Sequence, residues 1–508
     1  MKITRSILTS LLVLPLLTFC KAAPIDPGTD QGDGTDPVIT IIGEDAFHFT
    51  GEGGSATLQF TANMDWTAEP GTSWVKVNPG SGKAGENISV SITCEKTVIE
   101  KKRGTDIALS AAQRVIYVEI SQDGDPMAEA GPEFKSGDVL QANSELTEKF
   151  LTEVTYEDKT YKQNTKIFDY YGGFDGVNLT WDNWATDWPD GDMPCKYSIR
   201  WDKDAMESGA MKLHIEDELG WSGEQEIAEG SPYVNITNLV PNDKYTYRVT
   251  SASGKVLAEG NFSTKGSLHQ VYFHGDPDKG NIKGGGARNA RDFGGWKTLD
   301  GKTIKYRKIY RGGRLNEKWK PYPLNAQGEK EVLFEGIKAE LDLRGNSDVM
   351  FTPAVEGLDH CAPVIEQGGK TMLVSDKEKT KECFMFVYNC VKANKPVHFH
   401  CSLGRDRTGT LGILILGLLG VREGDIAKEY ELTYFAPVGY SVSSSDKKSN
   451  PKPIFKNTRM SWVYSDVVPY FWELAGDGTF AEGVEKYLLE VAGVSQEVID
   501  DFRKLMLE

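Results

Sequence analysis

Apolar and polar residues alternate with a period of two along much of the first half of the chain, in short runs separated by Gly, Pro and Asp. Runs of this kind predict β-strands that bury every second side chain. They fall into two regions, residues 38–125 and residues 131–265. We therefore expect two N-terminal all-β sandwich domains with these bounds.

The pattern changes at about residue 267, where short apolar runs begin to alternate with helical spacing. Lys377–Lys392 has helical spacing, residues 396–400 form a short strand-like run, and Thr408–Leu419 is almost wholly apolar. Strands that alternate with helices predict an α/β domain with a mostly parallel central sheet. We expect this domain over residues 267–508, in a multidomain chain.

The first residues have the form of a secretory signal. Two basic residues precede the apolar run Ile7–Phe19, which is too short to span a bilayer. We expect a signal peptide over 1–20, with Cys20 in the position of a lipoprotein cysteine. Cleavage near Ala22 without a lipid is the alternative. The Pro-, Gly- and Asp-rich residues 21–37 predict a flexible linker.

This start predicts an exported protein at the outer membrane or cell surface, or otherwise in the periplasm or medium, with a lipid anchor as its one membrane contact. The formal net charge is −17 over 508 residues. Nucleic-acid binding needs a basic face, so the charge argues against nucleic acid as a partner. It also requires any phosphate site to be locally positive. The seven cysteines show no zinc spacing.

The most informative string is HCSLGRDRTG at 400–409, between the predicted strand and the predicted apolar helix. A loop at a helix N-terminus directs backbone N–H groups toward an anion such as phosphate. Gly404 permits a tight turn, and the guanidinium of Arg407 can hold two phosphate oxygens. The predicted phosphate-binding residues are Ser402, Leu403, Gly404, Arg405, Asp406 and Arg407.

Cys401 is the candidate nucleophile of this string. The helix N-terminus and Arg407 both favour its thiolate, and such surroundings lower a cysteine pKa to roughly 3.5–7.5. A thiolate at neutral pH attacks phosphorus readily. Thr408 can donate a hydrogen bond to the sulfur when it leaves in the second step.

The string resembles the Cys-x5-Arg signature of the protein tyrosine phosphatase superfamily, including the preceding His and the following Thr-Gly. Further matching segments occur in the expected order at Asn289–Gly295, Tyr310–Leu315, Leu341–Arg344 and Gly420–Ile426. Together they resemble a bacterial tyrosine-phosphatase family whose loop reads HCxxGKDRTG, over about residues 285–508. The resemblance implies activity on phosphotyrosine and on phosphoinositides. Arg405 replaces the family's Lys, so a lipid or inositol preference is not inferred.

Two aspartates are candidates for the general acid that protonates the leaving oxygen and later assists water. Asp342 ends a predicted strand, at the sheet edge where α/β sites form, and it is our first choice. Its alternative role is a salt bridge with Arg344 or Arg311. Asp406 lies inside the loop, where the related family also has Asp. Its alternative role is to orient Arg407.

Three other residues are expected to support the site without contacting the substrate. His400 would orient the cysteine loop, and Arg291 and Asp292 would brace the fold. His398 and His400 point to the same face of a strand, but no third ligand lies nearby and this chemistry requires no metal. We therefore predict no metal and no cofactor.

The N-terminal half carries two more resemblances. The pattern from Trp66 and Trp74 to Glu119–Gln122 resembles a BACON domain, an all-β module of gut Bacteroidetes proteins whose family name implies carbohydrate or mucin binding. The hairpin near 236–264, with its Tyr-x-Tyr strand, resembles the end of a fibronectin type III domain. We expect the tryptophans to pack in the core, with a glycan-binding surface as the alternative.

Two segments have ordinary explanations beside functional ones. Trp188-Pro189-Asp190 spells the WPD motif that carries the general acid in other tyrosine phosphatases, but it lies in a different predicted domain from Cys401. Pro-Asp-Gly is common turn chemistry, and we expect a turn there. The lysines of Ser441–Lys456 would form either a basic rim for the substrate or a solvated loop.

These observations predict an exported phosphomonoesterase that works through a phosphocysteine on Cys401, with the β domains placing it at a surface or glycan. Its partner would be a phosphorylated protein, phosphoinositide, inositol phosphate or sugar phosphate, which all present the same monoester. The alternative is a surface lipoprotein that binds glycan or phospho-ligands and no longer turns over. The intact Cys401 and Arg407 favour the enzyme.

Overall fold

The computed structural model describes residues 36–99, 101–125, 127–163, 166, 192–275, 286–287, 289–316, 324–435 and 462–508. The chain divides into two compact units, Met1–Asp125 and Pro126–Glu508. The predicted signal peptide and nearly all of the predicted linker lie outside the described residues. No helix within the described ranges is long and apolar enough to cross a membrane.

The first unit is a two-sheet β-sandwich. Its strands are β1 Ile39–Ile42, β2 Ala46–Phe49, β3 Gly54–Ala62, β4 Trp66–Pro70, β5 Val75–Asn78, β6 Ser81–Gly82, β7 Gly85–Cys94, β8 Arg103–Ala111 and β9 Arg114–Gln122. One sheet has the order β1-β3-β7-β5 and the other β2-β9-β8-β4-β6. Trp66 is buried with its ring centre 5.0 Å from that of Phe60, and Arg103 covers the ring of Trp74 at 4.2 Å. Both tryptophans pack on the core, as expected.

The second unit begins with another β-rich region. Its strands are β10 Val139–Gln141, β11 Tyr197–Arg200, β12 Met211–Asp217, β13 Ser222–Ile227, β14 Tyr233–Ile236, β15 Lys244–Thr250 and β16 Val256–Lys265. A five-stranded sheet has the order β10-β16-β15-β12-β13, and β11 pairs with β14. In the Tyr-x-Tyr strand, Tyr245 is buried and stacks on Phe262 with ring centres 4.9 Å apart.

A five-stranded sheet lies at the centre of the C-terminal region. The strands there are β17 Phe273–His274, β18 Gly286–Ala287, β19 Arg291–Asp292, β20 Ile309–Gly312, β21 Ala339–Asp342, β22 Asp359–Cys361 and β23 Val397–His400. The central sheet has the order β19-β20-β23-β21-β22. Strands β20, β23, β21 and β22 are parallel neighbours, whereas β19 is antiparallel to β20 and β17 is antiparallel to β18. The α/β arrangement is therefore present, with the antiparallel strand β19 at one edge of the central sheet and β17-β18 as a separate two-stranded sheet.

The helices that the structure describes are α1 Glu145–Glu153, α2 Ala326–Phe334, α3 Lys370–Val374, α4 Lys377–Lys392, α5 Arg407–Leu418, α6 Glu423–Glu431, α7 Trp462–Ala475, α8 Phe480–Lys486 and α9 Gln496–Met506. Helix α4 has the predicted bounds, and α5 begins one residue before its predicted start. Every residue of α5 from Thr408 to Leu418 is buried. An all-apolar helix must be enclosed by other elements, and α5 packs between the sheet and α7 and α8.

Helix α1 packs into the core of the C-terminal region, although it precedes most of the second β region in sequence. Phe150 lies in the same buried cluster as the apolar residues of α5, with its ring centre 5.4 Å from that of Phe435. The hydroxyl of Tyr156, just after α1, donates to Glu431 of α6 at 2.6 Å. The boundary predicted between residues 265 and 267 stays a prediction from the sequence, and the contacts place both regions in one compact unit.

Candidate active site

The loop Cys401–Asp406 joins the end of β23 to the start of α5. All four residues of β23 are buried, so the strand fixes where the loop begins. Gly404 adopts a φ of +72°, and a Cβ there would lie 2.5 Å from the carbonyl oxygen of Gly312 at the end of β20. Both the conformation and the close approach therefore require glycine.

Side chains from β20 and from the segment just before β19 bind the carbonyl groups of this loop. The guanidinium of Arg311 donates to the carbonyl of Gly404, and the amide of Asn289 donates to the carbonyls of Leu403 and Gly404 at 3.1 Å each. No hydrogen bond among the described residues uses the backbone N–H of Ser402, Leu403 or Gly404. These N–H groups are therefore available for an anion in front of a helix N-terminus.

Cys401 is buried, with 3% of its surface exposed. Burial by itself would raise the pKa of its thiol, but the charge of Arg407 and hydrogen bonding from Thr408 outweigh burial and lower the pKa of Cys401 below its ordinary value. The Thr408 hydroxyl is itself buried and accepts or donates no hydrogen bond of ordinary geometry among the described residues, so it can turn toward the sulfur of Cys401. These surroundings favour the thiolate form of Cys401.

The other described cysteines behave in the opposite way. Burial raises the pKa of each of them, and they are Cys94, Cys195, Cys361, Cys383 and Cys390. All six cysteines in the described part of the chain are free thiols. Cys401 is therefore the one described cysteine whose surroundings favour the charged form.

Arg407 is held at both terminal nitrogens. Its Nη1 donates to the carbonyl of Ile365 at 2.9 Å, and its Nη2 lies 3.5 Å from the hydroxyl of Ser402. The segment after Ile365 packs directly on the loop, because a Cβ on Gly368 would lie 2.8 Å from the backbone nitrogen of Arg407. The backbone N–H of Gly369 also donates to the hydroxyl of Thr410 at 2.7 Å.

Asp342 is fully buried in an ion pair with Arg344. Its Oδ2 accepts from Nη2 of Arg344 at 2.7 Å, and its Oδ1 accepts from Nε at 2.8 Å. The backbone N–H groups of Arg344 and Met350 donate to the same carboxylate, each at 3.0 Å. Burial would raise the pKa of Asp342, but His400 and Arg344 outweigh it and lower that pKa. These contacts favour the salt-bridge alternative over the first choice of Asp342 as general acid.

Asp406 is the more accessible of the two candidate acids. Its side chain is 28% exposed and pairs with Arg405, whose Nε lies 3.0 Å from Oδ1. The backbone carbonyl of Asp406 accepts from the N–H and the hydroxyl of Thr410 at 2.8 and 2.9 Å. The first turn of α5 thus fixes the backbone of Asp406, while its carboxylate stays partly exposed beside Arg405.

His400 lies behind the nucleophile. Its Nε2 lies 2.9 Å from Oε1 of Glu340 and its Nδ1 lies 3.3 Å from the carbonyl of Cys401. Burial would lower the pKa of His400, but the carboxylates of Asp342 and Glu340 raise it overall. His398 differs, since burial lowers its pKa well below the ordinary value and neither ring nitrogen has a partner among the described residues.

Arg291 and Asp292 both contact elements that surround the loop. Arg291 donates from Nε to Oε1 of Glu429 at 2.7 Å, and the same glutamate accepts from Arg311 at 3.1 Å. Asp292 accepts from the backbone N–H of Gly294 at 2.8 Å and lies 3.0 Å from Nδ1 of His269. Both positions are consistent with the predicted bracing role.

One carboxylate at the loop was not singled out from the sequence. The hydroxyl of Ser402 donates to Oδ2 of Asp348, which lies in a turn after β21. The two residues are far apart in the chain, so their pairing depends on the tertiary fold. An acidic residue shortly after the Leu341–Arg344 motif was the one signal available.

Two segments discussed from the sequence lie outside the described residues: the WPD string at 188–190 and the lysine-rich insertion Ser441–Lys456. The described chain resumes at Asp192, whose backbone N–H donates to the carbonyl of Phe435 at 3.0 Å. In the described part of the chain, no group of three or more His, Cys, Asp or Glu side chains is arranged to hold a metal ion.

Two regions of the chain match models of known protein families. Residues 282–508 match the model described as "Tyrosine phosphatase family". The C-terminal region is therefore similar to that family over residues 282–508. Residues 40–124 match the model described as "Viral BACON domain", in agreement with the resemblance of the first β-sandwich.

Individual relatives are more distant from this chain. A curated protein named "Putative tyrosine-protein phosphatase H16_A0669" from Cupriavidus necator is 24% identical over 166 residues, which are 28% of this chain and 59% of that protein. A Bacteroides ovatus GH5 xyloglucanase solved with a XXXG heptasaccharide is 19% identical, over 20% of this chain and 22% of that one, with a TM-score of 0.17. An NMR structure of a Bacteroides thetaiotaomicron protein is 12% identical, over 20% and 97%, with a TM-score of 0.14.

Proposed function

We propose that the C-terminal domain hydrolyses phosphate monoesters in two steps. The thiolate of Cys401 attacks phosphorus, the phosphorus–oxygen bond to the leaving group breaks, and the general acid gives its proton to the leaving oxygen. Water then attacks the phosphocysteine, the same carboxylate takes a proton from that water, and the Cys401 thiolate leaves with inorganic phosphate as product. The charge that develops on phosphate oxygens would be stabilised by Arg407 and the loop N–H groups.

One observation carries this proposal. Among the described cysteines, the pKa is lowered at Cys401, where Arg407 and Thr408 outweigh burial, and raised by burial at the other five. A thiolate beside an arginine and beside unpaired backbone N–H groups is the arrangement that attack on a phosphate ester requires.

Asp406 is the general acid in this proposal. Both oxygens of Asp342 accept from Arg344 and its pKa is lowered, so it remains ionised and has no proton to give. Asp406 is partly exposed, and its partner Arg405 is also partly exposed. A bound phosphate can attract Arg405 away from Asp406, which would leave that carboxyl group free to carry a proton.

Hydrolysis of p-nitrophenyl phosphate in the presence of EDTA tests the activity. The intact chain should release phosphate, and Cys401→Ser should not. Cys361→Ser is the matched control, since Cys361 is a partly buried thiol whose pKa is raised to about 12 by burial and by Glu382, and it should keep the activity. Absence of turnover in a folded intact chain would instead favour the phospho-ligand-binding alternative.

We also propose an exported, lipid-anchored enzyme whose N-terminal β modules position it at a surface, the second module being fibronectin type III-like. The signal-like run Ile7–Phe19 and the position of Cys20 support this. Substrates would then be phosphate esters present outside the cytoplasm. Labelling of cells with a radioactive fatty acid should mark the intact chain and not Cys20→Ser. Absence of label from the intact chain would contradict the lipid anchor.

A further inference from the structure

Asp348 and Arg407 are linked through one hydroxyl group. The hydroxyl of Ser402 donates to Oδ2 of Asp348 and also lies 3.5 Å from Nη2 of Arg407. Ser402 is the residue directly after the nucleophile, so this chain of contacts runs through the loop Cys401–Asp406 itself. We propose that Asp348 is a positioning residue of the phosphatase reaction, which fixes Ser402 and, through it, the guanidinium of Arg407. The inference rests on the proposed function of the loop.

The turn that carries Asp348 is anchored to the segment that holds the other side of Arg407. The backbone N–H of Asp348 donates to the carbonyl of Gly345 at 3.1 Å. Glu366 accepts from the backbone N–H of Asn346 at 3.0 Å, and a Cβ on Gly345 would collide with the same carboxylate. Ile365, next to Glu366, accepts from Nη1 of Arg407. The turn with Asp348 and the segment with Ile365 are therefore joined, and between them they position both terminal nitrogens of Arg407.

Asp348 differs from the other two carboxylates near the loop. Asp342 is paired with Arg344 and Asp406 with Arg405, whereas no ion pair among the described residues includes Asp348. Its side-chain oxygens accept instead from two hydroxyl groups, that of Ser402 and, at 3.4 Å, that of Ser347. A carboxyl oxygen that accepts from a neighbouring donor fixes the position of that donor.

Loss of this carboxylate should weaken every step that depends on Arg407. The guanidinium would keep its bond to Ile365 but lose the constraint at Nη2, so the fork would no longer be preorganised for two phosphate oxygens. We expect Asp348→Asn to reduce kcat/KM about 10- to 100-fold, the range for loss of a hydrogen bond to a charged group. The leaving group should not affect this factor.

The experiment compares the intact chain with Asp348→Asn, Asp348→Glu and Ser402→Ala, on p-nitrophenyl phosphate and on phenyl phosphate. We expect Asp348→Asn and Ser402→Ala to reduce kcat/KM on both substrates by the same factor, and the double variant to be no worse than either. Asp348→Glu should recover part of the loss. Asp359→Asn, which changes an exposed carboxylate paired with Lys395, is the matched control and should be unaffected.

Binding of tungstate, measured by calorimetry on the same proteins, separates this inference from the proposed function because it needs no turnover. Weaker tungstate binding in Asp348→Asn supports positioning even where hydrolysis is absent. Unchanged tungstate binding and kcat/KM in Asp348→Asn would overturn it. So would a loss much larger on phenyl phosphate than on p-nitrophenyl phosphate, since that is the behaviour of a general acid, or a fall in melting temperature that accounts for the whole loss.

Discussion

The buried guanidinium of Arg311 binds the backbone carbonyl of Gly404, the glycine at the turn of the phosphate loop. Arg311 belongs to β20 and pairs with Glu429 of α6 at 3.1 Å. The loop is therefore held by the sheet on one side and by a helix on the other. Rigid support of this kind keeps binding groups in the geometry that catalysis requires.

Gly404→Ala should abolish phosphate binding. The added Cβ would meet the carbonyl oxygen of Gly312 at 2.5 Å, so the loop must move. Gly420→Ala is a matched control, because Gly420 also has a positive φ, of 84°, but its Cβ would meet nothing closer than 4.0 Å. That variant should lose only about 1–2 kcal/mol of stability and keep its activity. Equal activity of both variants would contradict the account.

Alkylation of Cys401 should report its lowered pKa. Since the charge of Arg407 and hydrogen bonding from Thr408 outweigh burial, the pKa of Cys401 lies below the ordinary value, and the thiolate fraction rises at lower pH than in a free cysteine. The rate of modification by iodoacetamide, followed by mass spectrometry of the Cys401 peptide, should reach half its maximum below about pH 8.5. Arg407→Met should move this midpoint upward. A midpoint at or above that of a free thiol would be inconsistent with the site.

Asp342→Asn should lower the free energy of unfolding, and its main effect should be on stability and not on the chemical step. Removing one partner of the buried Asp342–Arg344 pair leaves an uncompensated charge, which costs about 3–5 kcal/mol. Because the folded-state pKa of Asp342 is lowered, its stabilisation is present above the unfolded pKa of about 3.9 and is lost as pH falls through the folded value. Denaturant titrations should therefore show a large difference from the intact chain at pH 7 that shrinks below about pH 4. A difference independent of pH would argue against an ionised Asp342.

Asp406→Asn should lower kcat and leave the stability of the protein nearly unchanged. Its side chain is partly exposed and its ion pair with Arg405 lies near the surface, so the stability change should be within about 1 kcal/mol. General acid catalysis contributes roughly 10²–10⁴ in rate. The loss in kcat should be greater for phenyl phosphate than for p-nitrophenyl phosphate, whose leaving group needs less protonation. An equal loss on both substrates would move the acid role away from Asp406.

The loop itself could be predicted from the sequence because its chemistry is contiguous. A strand, a cysteine, a glycine turn, an arginine and an apolar helix follow one another within a short stretch, and the structure shows β23 and α5 close to their predicted bounds. Helix α4 was predicted by apolar spacing for the same reason. Local patterns determine local structure when tertiary contacts agree with them.

The remaining features depend on contacts between distant segments. The preference for Asp342 came from its place at a strand end, and the sequence does not show that Arg344 turns back onto it. The contact between Ser402 and Asp348 and the packing of α1 against α6 also require the folded chain. Residues 131–265 were predicted to be all-β, but they include helix α1, which packs into the core of the C-terminal region.

Tyr156→Phe tests that packing. The hydroxyl donates to Glu431 in a fully buried contact of 2.6 Å, and losing a hydrogen bond to a charged group costs about 1.5–3 kcal/mol. Calorimetry should show a lower melting temperature for the second unit. Tyr117→Phe is the control, since Tyr117 is 67% exposed on β9, and it should change stability by less than about 0.5 kcal/mol. A fragment of residues 267–508 as stable as residues 127–508 would contradict the shared core.

Trapping of the phosphoenzyme tests the central claim most directly. The intact chain is mixed with a radioactive phosphate monoester, quenched in denaturant within its first turnovers, and digested for peptide mass spectrometry. The account predicts phosphate on the peptide that contains Cys401, and none in Cys401→Ser. Turnover without a phosphorylated Cys401, or label on another residue, would contradict it.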